Sequence, residues 1–233
     1  MKIIAQNLDA IIFDMDGTVV LSNHTWAAKL VKVLLKNGVT QEVLNTIMAE
    51  LERHTTGLDA KTCAQYFKEK FALHASIEEL RQDLLLPFDD QEITPFAYVP
   101  GVVTFFQELK SHNIPISMAT NSHRLYFTKV QSLMGLADYF GKHLYCIEDL
   151  ASYKGKPHPD LFLFAANQLG VRPERCLVFE DSQHGFLAAK AAGMKCIAIK
   201  NDINGVHRDL VNGAIDSYDQ AEAIIKQVLG LDK

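Results

Sequence analysis

Between Pro100 and Ile199, short apolar runs that suit buried strands alternate with apolar stripes at helical spacing, and this alternation limits the fold more than any other feature. The expected order is helix (Val102 to Ser111), strand (Ile114 to Ala119), helix (Arg124 to Met134), strand (His143 to Cys146), helix (Asp160 to Leu169), strand (Cys176 to Phe179), helix (Gln183 to Ala192) and strand (Lys195 to Ile199). Strands separated in this way by helices join through right-handed crossovers into a parallel sheet. An earlier run, Leu8 to Phe13, must enter the same sheet, because alone it is an unpaired apolar edge.

The stretch between Ser22 and Glu92 follows a different pattern, with no strand-like run. Trp26, Leu30, Val33 and Leu34 form one helical stripe, closed by Asn37-Gly38, and Val43, Ile47 and Leu51 form a second. Cys63, Phe67 and Phe71 make a third after Gly57, and Ile77 to Leu85 a fourth, with Pro87 to Pro95 as the return linker. The fold class is therefore α/β: a Rossmann-like parallel sheet core (residues 1–20 and 97–233) with an all-helical cap (residues 21–96) inserted after the first strand. A chain of 233 residues with 48% hydrophobic content can bury such a core. The net charge of −5 supplies no basic footprint for nucleic acid or an anionic membrane surface. No run reaches the roughly 18 residues of a membrane span, and the start lacks an apolar signal core, so the expected location is cytoplasmic. The four cysteines (63, 146, 176, 196) have no zinc spacing and read as buried thiols, although Cys176 and Cys196 open strands that can be neighbours and a disulfide is conceivable.

Polar groups gather at the ends of the strands. Ile11-Ile12-Phe13 runs into Asp14-Met15-Asp16-Gly17-Thr18, where residues two apart face the same side unless the chain turns between them. Carboxylates at the carboxyl end of a parallel strand lie where ligands bind, although Asp-x-Asp-Gly alone also fits a solvated turn. The next strand ends in Thr120 and Asn121, a hydroxyl and an amide that can grip an anion, with Thr120 as a helix cap the alternative. Lys156, in a Gly-Lys-Pro loop before a helix, can neutralise a phosphate or stay solvated. Glu180 and Asp181 end a third strand, and opposite Asp14 and Asp16 they repel unless a divalent cation joins them, for which clustered oxygens suit Mg²⁺; Asp181 as a helix cap is the alternative. His158 and His184 read as capping or packing groups, and Trp26, Phe67 and Phe71 as core. Arg53, His54 and Lys61 flank Gly57 and can face the cleft, where they would set substrate specificity.

The ordered set DMDGT, ATNS, GKPHPD and FEDSQHGFLAAKAAGM resembles the haloacid dehalogenase superfamily, in particular its β-phosphoglucomutase-like and phosphoglycolate phosphatase-like branch, over about Leu8 to Ile199. The resemblance implies that Asp14 is the nucleophile that takes the phosphoryl group and that Asp16 is general acid for the leaving oxygen, then base for water. It implies that Thr120 and Lys156 hold the phosphate. Asp14, the backbone carbonyl of Asp16 and Asp181 would bind Mg²⁺, with Glu180 a direct or water-mediated ligand.

The leading expectation is a Mg²⁺-dependent phosphatase, acting as a monomer on a small phosphorylated metabolite through an aspartyl phosphate. The alternatives are a phosphomutase of the β-phosphoglucomutase type and a catalytically silent binding protein of the same fold. Mutases of the branch are similar in the core but use an arginine three residues after the insertion's glycine and a histidine in the first cap helix. Ala60 and Trp26 stand at the matching positions, which favours hydrolysis.

Overall fold

The computed structural model describes residues 1–85, 96–152, 154–201 and 209–231. A one-turn helix α1 (Lys2–Ala5) leads into strand β1 (Ala10–Phe13), and a two-residue strand β2 (Val20–Leu21) follows. Four helices come next: α2 (Asn23–Lys36), α3 (Gln41–Thr55), α4 (Ala60–Phe71) and α5 (Ile77–Leu85). Strand β3 (Ala97–Tyr98) then opens the run α6 (Val102–Ser111), β4 (Ile116–Thr120), α7 (Arg124–Met134), α8 (Ala137–Phe140) and β5 (Leu144–Cys146). The chain continues with α9 (Asp160–Leu169), β6 (Cys176–Glu180), α10 (Gln183–Ala191), β7 (Lys195–Ile199), β8 (Gly213–Ile215) and α11 (Ala221–Leu229).

Six strands form one parallel sheet in the order β5-β4-β1-β6-β7-β8. β1 lies inside it and is buried on both faces, which explains why its sequence is an unbroken apolar run. Ile11 and Phe13 join the layer built from α6, α7 and α11, where Phe13 stacks on Phe179 and meets Phe106 edge-on. Ala10 and Ile12 face α9 and α10. Such a sandwich fixes the strand ends, so side chains just beyond Phe13, Thr120 and Glu180 emerge at one edge of the sheet.

The cap helices bury their stripes against one another, with Leu30, Leu34, Leu44, Leu51, Phe67, Leu80 and Leu84 forming a separate apolar cluster. Where the chain leaves the core and where it returns, β2 and β3 pair antiparallel, Val20 opposite Tyr98 and Leu21 opposite Ala97. The linker expected over Pro87 to Pro95 falls on residues 86–95, outside the described ones.

Periodicity located the four core helices expected between Val102 and Ala192 to within a residue, whereas α1, α8, α11 and the short strands escaped it. The β2–β3 ribbon has two residues a side, too few to show alternation. β8 is a three-residue edge strand, Gly213-Ala214-Ile215, with only Ile215 buried. The conceivable disulfide does not form: β6 and β7 are neighbours, but Cys196 lies opposite Val178, two residues along from Cys176, and all four cysteines are free and buried.

Candidate active site

Asp14 follows β1 and is buried. Lys156 Nζ donates to its Oδ1 at 2.5 Å and to Glu180 Oε1 at 2.7 Å, so a single ammonium ties two strand ends together. The Lys156 stem is fully buried, and its ammonium also sits 4.7 Å from the centre of the Phe162 ring. Burial opposes that charge, but Asp14 and Glu180 outweigh it and hold the lysine's pKa above the ordinary value. The Asp14 carboxyl is driven well above the usual range, first by burial and then by repulsion from Glu180 and Asp16, with Lys156 opposing.

Asp16 is held differently. Ser22 Oγ and Ser122 Oγ each donate to it at 2.6 Å, and Tyr126 Oη donates at 3.0 Å. Burial raises its pKa although all three hydroxyls favour the anion. The chain turns just after Asp16, at Gly17, with φ +76°; a Cβ there would stand 2.1 Å from Asp181 Oδ2. Glycine is thus required twice over, for the left-handed backbone and for the approach of Asp181.

Thr120 and Asn121 end β4. The helix that follows is capped by His123, whose side chain accepts from Tyr126 N, so Thr120 is released from that role; its Oγ1 accepts from Ser122 N at 3.1 Å. Asn121 braces the lysine loop, donating to Lys156 O at 3.1 Å and accepting from Lys156 N at 2.9 Å. It also reaches the cap, donating to Gly57 O at 2.7 Å. Ser182 caps α10 by accepting from Gly185 N, which leaves Asp181 free of capping. Asp181 is instead held by Asn201 Nδ2 at 2.8 Å and Thr18 Oγ1 at 3.4 Å, and burial, with repulsion from Glu180 and Asp14, lifts its pKa well above the usual range.

Glu180 is engaged through both oxygens: Oε1 accepts from Lys156, and Oε2 accepts from Ser182 N at 2.6 Å and Ser182 Oγ at 2.9 Å. The charge balance fits a cation beside these acids, since Asp14, Asp16, Glu180 and Asp181 gather round Lys156. Among the described residues no three acids, imidazoles or thiols already form a cage. The donor set therefore suits a hard ion that completes its shell with carbonyl, water and phosphate oxygens.

A cleft of about 860 Å³, its mouth included, lies between sheet edge and cap. Asp14, Asp16, Thr120, Asn121 and Asp181 line its floor; Trp26, Leu30, Glu52, Thr55, Thr56 and Leu58 line the cap side. The three cap residues expected there are placed elsewhere. Glu52, Thr55 and Thr56 share one face of α3 and its end, while Arg53 and His54 lie about 100° and 200° round the helix. Arg53 is exposed and donates to Ala49 O, His54 stacks on Tyr66 at 4.4 Å, and Lys61 is exposed on α4. Glu52, Trp26, His123 and the hydroxyls round Asp16 escaped the sequence reading. Trp26 sits on a core-like stripe, and the others lack a motif, although Ser122 directly follows Asn121.

The family model of the haloacid dehalogenase-like hydrolase matches residues 8–193, which is most of the chain. The chain belongs to that family. Similar haloacid dehalogenase-like proteins include (DL)-glycerol-3-phosphatase 2 of Arabidopsis thaliana, 30% identical over 89% of this chain and 86% of that protein. Phosphoglycolate phosphatase of Photorhabdus laumondii is 29% identical over 86% and 84%. The crystal structure of a haloacid dehalogenase family hydrolase from Deinococcus radiodurans, with bound phosphate and sodium, superposes with TM-score 0.70 at 26% identity and covers 97% of each chain. This haloacid dehalogenase-like protein is thus a phosphoric monoester hydrolase of the phosphoglycolate phosphatase and phosphoglucomutase type. Among its described residues, no helix is long and apolar enough to cross a membrane.

Proposed function

We propose that the protein hydrolyses a small phosphomonoester with Mg²⁺ by way of an aspartyl phosphate on Asp14. The observation that carries this reading is the division between the two acids: Asp14 is gripped by an ammonium, Asp16 by three hydroxyls. Lys156 draws charge from Asp14 and from the phosphate beside it, which lets a carboxylate approach a dianion. An Asp14 oxygen attacks phosphorus, and the bond to the ester oxygen breaks. Asp16, its pKa raised by burial, gives its proton to the departing oxygen. It then takes a proton from a water that attacks phosphorus, and the bond to Asp14 breaks, releasing inorganic phosphate.

Thr120 lines the floor as a phosphate-holding group, and Asn121 beside it would serve the phosphate by fixing the lysine loop, since both its amide protons go to carbonyls. Asp14, Asp181 and the Asp16 carbonyl would hold the Mg²⁺, which when bound neutralises charge on the transferring phosphoryl group. Ala60 lines the cleft where a mutase would need a cation for a second phosphate, so hydrolysis is the favoured outcome.

The test uses p-nitrophenyl phosphate. Turnover is expected with Mg²⁺ and is lost in excess chelator, and brief exposure to substrate should raise the intact mass by one phosphoryl group in the wild type and not in Asp14→Asn. A phosphorylated Asp14→Asn protein would move the nucleophile elsewhere, and full turnover in chelator would remove the metal.

A further inference from the structure

The two ends of the cleft differ in charge. Lys156 at the floor meets the phosphate, but among the described residues that line the cleft none is lysine or arginine. The cap side is largely apolar: Trp26, Ala27, Leu30, Leu58, Ala60, Cys63 and Leu84. Its one charged residue is an acid, Glu52, whose carboxyl has its pKa raised by burial. An anion brought to this end is disfavoured: it meets a partly buried carboxylate, while Lys29 and Arg81, whose charges reach His123, are not among the lining residues.

The polar atoms at the same end ask for a particular partner. Thr55 Oγ1 donates to Leu51 O at 2.8 Å and Thr56 Oγ1 donates to Glu52 O at 2.7 Å, so both hydroxyls have used their protons and offer only lone pairs. Glu52 likewise only accepts. The matching donor is His123 on the core side. Its Nδ1 accepts from Tyr126 N, which places the proton of the neutral ring on Nε2. That Nε2 is buried and has no partner among the described residues, although the ring lines the cleft. An orphaned buried donor of this kind is costly unless a ligand completes it. Burial first, with Lys29 and Arg81 adding to it and Glu148 opposing, holds the imidazole's pKa down at about 4, so it meets a ligand as a neutral donor.

We infer that the leaving group is a neutral, hydroxyl-bearing alcohol of the polyol class, with Glu52 and His123 bonding its hydroxyls and Trp26 covering its carbon chain. An acceptor and a neutral donor satisfy the two valences of a hydroxyl, whereas a carboxylate or second phosphate finds one donor and one repelling acid. This inference rests on the phosphatase reading. The named relatives do not decide it, since one is a glycerol phosphatase and another a phosphoglycolate phosphatase at nearly equal identity.

The experiment compares glycerol 3-phosphate with 3-phosphoglycerate, equal in carbon count and differing in a hydroxymethyl against a carboxylate, beside p-nitrophenyl phosphate with Mg²⁺. The expected kcat/KM for the polyol ester exceeds that for the acid by about tenfold or more, and Glu52→Gln should shrink the ratio several-fold. His123→Asn, which keeps a side chain able to cap α7, should lower kcat/KM for glycerol 3-phosphate at least several-fold. Equal or better use of 3-phosphoglycerate, with the aryl phosphate still hydrolysed, overturns the inference and leaves the phosphatase standing. An unchanged ratio in Glu52→Gln also overturns it. Failure of all three esters removes the phosphatase reading and this inference with it.

Discussion

The two walls of the cleft are built by different rules. On the core wall nearly every polar atom has a fixed partner: Lys156 bonds two acids, Asp16 receives three hydroxyls, and Asn121 makes three bonds to the chain around it. On the cap wall the lining is largely apolar, and two of its bonds to the core run through backbone carbonyls, Gly57 O from Asn121 and Thr56 O from His184 Nδ1 at 3.0 Å. The difference teaches where each half of the reaction is decided. Phosphoryl transfer needs charges held in advance, because reorganising them during the reaction costs rate. Recognition of an alcohol needs a surface that can come away and admit it.

The sharpest way to break this contrast is Lys156→Met, which keeps the stem's volume and removes the charge. Asp14 and Glu180 would then face each other buried and uncompensated, and removing one partner of a buried ion pair typically costs about 3–5 kcal/mol. We expect kcat to fall by about a thousandfold or more and the melting temperature to drop as well. Activity within tenfold of wild type would mean that the lysine serves only the fold.

A smaller effect is expected at the contact between the walls. Gly57 has φ +81°, and a Cβ on it would stand 2.2 Å from Ser182 Oγ, the atom that caps α10 and bonds Glu180. Gly57→Ala therefore strains the cap turn and pushes it from the core, at a cost of about 1–2 kcal/mol from the left-handed backbone alone. Expected is a loss of kcat/KM for a natural-type ester of about tenfold, with a smaller loss for p-nitrophenyl phosphate, whose leaving group needs less help from the cap. Equal losses for both would make the turn a support for the catalytic floor.

The same contrast explains what the sequence could reveal. Core residues announce themselves because chain order and strand ends leave them one place to go: an apolar run that ends in acids, a strand that ends in Thr120-Asn121, a lysine before a helix. Alternation of strand and helix gave the sheet, and the helical stripes of the cap were equally legible. What stayed hidden depends on distance in the chain. Tyr126 reaches Asp16 across 110 positions, and His184 reaches Thr56 across 128, with no spacing to mark either. The bonds of Glu180 to Lys156 and Ser182 are likewise visible only once the strands are aligned. On the cap the residue types near Gly57 suggested a charged face, and the rotation of one helix decided which of them meet the cleft.

That rotation supplies the smallest effect we predict. Around α3, Glu52 and Thr55 point to the cleft while Arg53 turns out to solvent and bonds its own helix at Ala49 O. Lys61, one residue beyond the lining Ala60, is exposed as well. A solvated charge on an outer face interacts weakly with a ligand behind the helix, because water and salt screen it. Arg53→Ala and Lys61→Ala should therefore change kcat/KM by less than about twofold for glycerol 3-phosphate and 3-phosphoglycerate alike, and leave their ratio in place. Measured beside Glu52→Gln, these variants test whether one turn of helix separates a residue that reads the substrate from one that does not. A shift of the ratio by Arg53→Ala as large as that by Glu52→Gln would show that α3 presents a different face in the working enzyme, and the description of the cap wall would have to be redrawn around Arg53.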